Sequence, residues 1–164
     1  MNLDVWLASF RKAHDRARTG GLSAEERSEY EKARNELARM VVSAQRLTLK
    51  PGETPRQALR VAKALQVDLD LEAGTQRAMI QDLSSGGFST LLARGQAAGS
   101  VVAFSIRLPG GAGSLAGRCR VAESQARKQG NYRVAFSFQG LSPEDAERLE
   151  LVLFDAVLEQ LKAL

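Results

Sequence analysis

The chain has 164 residues, 44% hydrophobic and 26% charged, a composition that suits about one globular domain with an appendage and argues against whole-chain disorder. A single cysteine, Cys119, and a single histidine, His14, rule out a disulfide framework and leave no zinc site to be expected. The net charge of +4 is too small for a duplex-binding face and suits at most a small anionic ligand; no apolar run reaches the roughly 20 residues of a membrane span, so a cytoplasmic protein is expected.

The first segment carries Leu3, Trp6, Phe10, Ala13 and Ala17 at alternating spacings of three and four, one stripe of an amphipathic helix that Thr19-Gly20-Gly21 ends. His14, near the end of that helix, is expected on the solvated surface. Ser23 and Glu26 form a capping box for a second helix, whose stripe is Tyr30, Ala33, Leu37, Met40, Ala44 and Leu47. Residues 1–48 thus read as a helical hairpin, either a packing element or a dimerisation element.

Pro51, Gly52 and Pro55 stop the helix, and residues 49–60 read as an extended linker carrying Arg56 and Arg60 four residues apart. Beyond it the apolar period becomes two. Leu65, Val67, Leu69 and Leu71 alternate with polar residues, as do Val102, Phe104, Ile106 and Leu108. Leu115, Gly117, Cys119 and Val121 repeat the pattern, followed by Tyr132, Val134, Phe136 and Phe138, with shorter candidates near Ala78–Leu83 and Phe88–Leu92. Six short strands at this spacing predict a small closed antiparallel β-barrel in a mainly β protein. Cys119 falls on the inward register as a small core residue.

Ser142-Pro143-Glu144-Asp145 is a helix start signal, and the apolar run from Leu149 to Leu161 predicts a C-terminal helix with one face on the barrel. A second apolar face, Leu151, Phe154, Leu158 and Leu161, asks for another partner: the hairpin or a second subunit. Residues 61–164 form the barrel with its helix in this reading.

The stretch Gln81-Asp82-Leu83-Ser84-Ser85-Gly86-Gly87-Phe88 joins two of the strands. RxxxR at Arg56 and Arg60, then DxSxxG at Asp82, Ser84 and Gly87, ahead of a small barrel and a terminal helix, resembles the PilZ domain family of bacterial cyclic di-GMP receptors over roughly Thr54–Leu164. The resemblance implies that Arg56 and Arg60 grip guanine edges or phosphates with bidentate forks. It further implies that Asp82 accepts from guanine N–H donors, Ser84 adds a hydrogen bond, and Gly87 supplies a positive φ or a close approach to the ligand, with Gly86 sharing that work. Pro55 stands where members often carry a basic residue and Ala135 where many have glycine; whether one or two nucleotides bind is left open.

The expected function is therefore a cyclic di-GMP-operated switch that orders the linker against the barrel, reorients the hairpin and signals to an unidentified effector protein. A ligand-independent adaptor is the alternative. No cofactor is implied. A nucleic-acid barrel is disfavoured because Tyr132, Phe136 and Phe138 share the inward register, and an enzyme because no nucleophile–base pair or metal cluster is evident.

Overall fold

A computed structural model describes residues 2–47, 59–110 and 113–162. The chain divides into two compact units, Met1–Leu59 with Leu158–Leu164, and Arg60–Val157. The linker prolines, Arg56 and Gly111 lie outside the described residues, as does the side chain of Leu47.

In the helical unit, α1 (Leu3–Arg18) starts at Asn2, whose side chain accepts from the amide of Asp4 at 2.8 Å. It ends where Gly20 takes a φ of 74°. The capping box of α2 (Ala24–Leu47) forms as expected. The Glu26 amide donates to Ser23 Oγ at 3.2 Å, and the Ser23 amide donates to Glu26 Oε1 at 3.1 Å. Arg16 also donates to Glu26, and this contact, ahead of the two from Ser23, holds the Glu26 carboxyl below its ordinary value.

The stripe on each helix differs from the predicted one. On α1 the buried residues are Phe10, His14 and Ala17, while Leu3 is exposed. On α2, among the described side chains, they are Tyr30, Arg34 and Leu37, while Met40 is exposed. His14 is not on the solvated surface: it is fully buried, and its Nδ1 shares a 2.7 Å hydrogen bond with the Tyr30 hydroxyl. The reason is a stack of rings, Trp6–Phe10–Tyr30, against which the imidazole lies and over which the Arg34 guanidinium sits 5.3 Å from the Tyr30 centroid. A buried polar ring is tolerated because its hydrogen bond is made internally. Read by polarity alone, His14 and Arg34 break the stripe; read by ring stacking, they complete it.

The second unit contains β1 (Arg60–Val61), β2 (Gln66–Leu71), β3 (Gly74–Ser84), β4 (Gly87–Leu92), β5 (Val101–Arg107), β6 (Ser114–Ala126) and β7 (Tyr132–Gln139). All pairings are antiparallel, in the order β3-β2-β5-β6-β7-β4, and β4 pairs back to β3, so six strands close a barrel. The two-residue β1 adds to the end of β3. Inside, Phe88, Phe104, Phe136 and Phe138 form a ring cluster with centroids 5.1–5.9 Å apart, each such pair adding about 0.5–1.5 kcal/mol beyond its area burial. Val67, Leu69, Ile106, Leu115, Cys119 and Val134 are also fully buried, as the alternation predicts.

Two strands run longer than their apolar alternation. β3 has 11 residues and β6 has 13. In each, a bulge interrupts the register, between Ile80 and Asp82 on β3 and between Val121 and Glu123 on β6. A bulged strand twists and re-aims its side chains, which ends the simple period-two signal.

Helix α3 (Pro143–Lys162) begins with Ser142 Oγ accepting from the Asp145 amide at 3.1 Å. Arg148 donates to the Ser114 carbonyl at 3.0 Å, tying the first turns of α3 to β6. Leu149, Val152, Leu153, Phe154, Ala156 and Val157 are buried. The end of α3, from Leu158, belongs to the helical unit, where Arg11 donates to the Leu158 carbonyl at 3.1 Å. Phe154 and Leu158, placed on the second apolar face by the sequence, are buried. Among the described residues no helix is long and apolar enough to cross a membrane.

Candidate functional site

Alternation along β7 sends Val134 and Phe136 into the barrel and leaves Arg133, Ala135 and Ser137 on its outer face. The strands on either side carry short residues at the same level: Gly87 pairs with Ser137 and Ser89 pairs with Ala135 on β4. On β6 the bulge at Ala122 brings Glu123 opposite Ala135 and Gln125 opposite Arg133. Short side chains in a row between longer ones make a cleft of about 340 Å³, within the roughly 300–1,000 Å³ of small-ligand sites. Its floor is Gly87, Ser89, Ala135 and Ser137. Its rim is Arg60, Asp82, Ser84, Glu123, Gln125 and Arg133.

Four of the five residues singled out from the sequence, Arg60, Asp82, Ser84 and Gly87, line this one cleft. Arg56 lies outside the described residues. The β1–β3 pairing is what brings Arg60 there, since its register partner is Ser84.

The corner between β3 and β4 is braced from within. Ser84 Oγ donates to the Gly87 carbonyl at 3.3 Å and accepts from the Gly86 amide at 3.3 Å. The Phe138 amide donates to the Gly86 carbonyl at 2.9 Å, fastening the corner to β7. A hydroxyl has one proton and two lone pairs, so Ser84 retains one acceptor position after these contacts.

Of the two roles expected for Gly87, the positive φ is not the one it takes. Neither it nor Gly86 has a positive φ. A Cβ on Gly87 would stand 1.9 Å from the carbonyl oxygen of Phe136, so the missing side chain lets β4 close against β7. The approach that excludes a side chain is between two strands.

Arg133 belongs to neither sequence motif. Its Nη2 pairs with Asp82 Oδ2 across the intervening strand β4, and lies 3.5 Å from Ser89 Oγ. Ser89 Oγ in turn donates to the same Asp82 Oδ2 at 3.1 Å. Ser89 is only 5% exposed, while the Asp82 and Arg133 side chains remain 27% and 43% exposed. The carboxylate is therefore anchored from below yet open to the cleft. Arg133 occupies an ordinary outward position in an alternating strand, and 51 residues separate it from Asp82, so nothing local marks the pair.

Guanidinium forks, a fixed carboxylate and a hydroxyl over a floor of short side chains suit recognition of a polar, planar, anionic molecule. A closed antiparallel barrel with such an external cleft and a C-terminal helix defines a small β-barrel domain with a candidate site on its outer face. More narrowly, residues 54–155 match the PilZ domain family, and the chain belongs to it.

No curated protein matches the sequence. Solved structures with the same fold include the Bacillus subtilis inhibitor of motility MotI/DgrA, 21% identical with a TM-score of 0.54 over 67% of this chain and 53% of that one. The PilZ domain of Escherichia coli YcgR with c-di-GMP is 19% identical, with a TM-score of 0.53 over 67% of this chain and 97% of that one. A Klebsiella pneumoniae MrkH–c-di-GMP complex is 15% identical, with a TM-score of 0.57 over 68% of this chain and 57% of that one. The chain spans little more than half the length of MotI and MrkH.

Proposed function

We propose that the chain is a cyclic di-GMP receptor whose cleft binds the nucleotide through Arg56, Arg60, Asp82, Ser84 and Gly87. The observation that carries this reading is that Arg60, Asp82 and Ser84, from two separate sequence motifs, share the rim of one cleft on a PilZ barrel. Cyclic di-GMP offers two phosphates and two guanines. Arg60 suits a phosphate or the O6/N7 edge of a guanine, and Asp82 suits the guanine N–H donors. Gly87 contributes by letting the strands close beneath the ligand. The c-di-GMP complexes of YcgR and MrkH share this fold, which supports the choice of ligand.

Binding acts as a switch, with no bond made or broken. The nucleotide brings Arg56 in beside Arg60, which the β1–β3 ladder already seats at the cleft; ordering costs of roughly 1–2 kcal/mol per residue are offset by charged hydrogen bonds of about 1.5–3 kcal/mol apiece. That ordering reorients the N-terminal hairpin toward an effector protein. Calorimetric titration with cyclic di-GMP tests the reading: wild type binds at micromolar or tighter concentration, and Arg56→Ala or Arg60→Ala weakens binding at least tenfold. Wild type that does not bind, or variants that bind equally well, would refute it.

A further inference from the structure

We infer that Arg133 is a positioning residue of the cleft, holding and neutralising the Asp82 carboxylate so that a doubly anionic nucleotide can approach it. The inference rests on the cyclic di-GMP reading and extends it to a residue outside both motifs.

An acid at the rim of an anion site is an electrostatic contradiction. Like charges in a partly buried cleft repel with little screening, so a bare Asp82 would oppose the phosphates that Arg60 attracts. The Arg133 guanidinium removes that conflict by pairing with Asp82 in the same cleft. It does so on one side only. Arg133 and Ser89 both use Oδ2, and no described residue donates to Oδ1. One carboxylate oxygen is committed to the protein and the other is left for a donor on the ligand.

The anchoring is specific to this frame. Asp82 pairs in register with Ser89 on β4, and Ser89 with Ala135 on β7, so Arg133 reaches diagonally across β4 above a buried hydroxyl. Ala135 is short enough to leave the path open. Fixing the carboxylate before binding means the ligand does not have to order it, which favours affinity.

The test is a double-mutant cycle read by calorimetric titration with cyclic di-GMP, using wild type, Arg133→Gln, Asp82→Ala and the double variant, each with its melting temperature. Arg133→Gln should weaken binding roughly tenfold or more in the wild-type background and much less in the Asp82→Ala background. Arg133→Lys, which keeps the charge without the fork, should recover part of the affinity and decides the matter if Arg133→Gln does not fold. Equal loss in both backgrounds would make Arg133 a direct ligand contact and overturn the inference. So would wild-type affinity in folded Arg133→Gln. Wild type that fails to bind overturns the functional reading itself, a distinct result.

Discussion

Arg60 faces Ser84 as its register partner in the two-residue β1–β3 ladder, which sets an arginine about one strand spacing, roughly 4.8 Å, from the corner that carries the second motif. The last residue of RxxxR is therefore already in the sheet, at the edge of the cleft. A lysine there keeps the charge but loses the planar fork. Arg60→Lys should weaken cyclic di-GMP binding nearly as much as Arg60→Ala, with melting shifted little because the side chain is exposed. Titration of the two variants side by side checks this; full affinity in Arg60→Lys would show that charge alone suffices.

Gly87→Ala should damage the fold before any ligand is added. Its Cβ has to displace the Phe136 carbonyl, a backbone atom in a paired strand that cannot rotate away. Overpacking of this kind costs roughly 1–3 kcal/mol or more, visible as a lower urea midpoint in the nucleotide-free protein. An unchanged midpoint with lost binding would instead place the glycine's role at the ligand.

Tyr30→Phe should destabilise the helical unit by roughly 1–3 kcal/mol, because it removes the hydroxyl that pairs with the buried His14 Nδ1. Hydrogen exchange of the α1 and α2 amides reads this locally. Protection equal to wild type would mean that the ring stack alone holds the hairpin.

The Cys119 thiol is completely buried between strands, and burial pushes its pKa up to about 12 from an ordinary 9.0. In the native state it stays protonated where the unfolded chain already ionises. Stability from this group is therefore full below about pH 9 and falls as pH rises from 9 toward 12. Thiol reagents at pH 8 should react slowly with native protein and quickly in denaturant. Fast native labelling would show that the barrel opens readily at β6.

The barrel was legible in the sequence because strands with one buried face repeat apolar residues at period two, as in β2, β5 and β7. The ends of β3 and β6 were not, because bulges break the period where the cleft forms, and Glu123 and Gln125 lie in that hidden extension. Asp82, Ser84 and Arg60 were legible as motif residues. Arg133 was not, since its partner is a distant residue reached only after the barrel closes. His14 was misplaced for a related reason: a lone polar ring reads as surface until Tyr30 is brought against it.

With cyclic di-GMP seated in the outer cleft between β3, β4 and β7, amide chemical-shift mapping during titration with the nucleotide should show its largest changes at Arg60, Ser84–Gly87 and Arg133–Ser137, saturating together. Changes confined to the helical unit, or no changes at millimolar nucleotide, would contradict that seating.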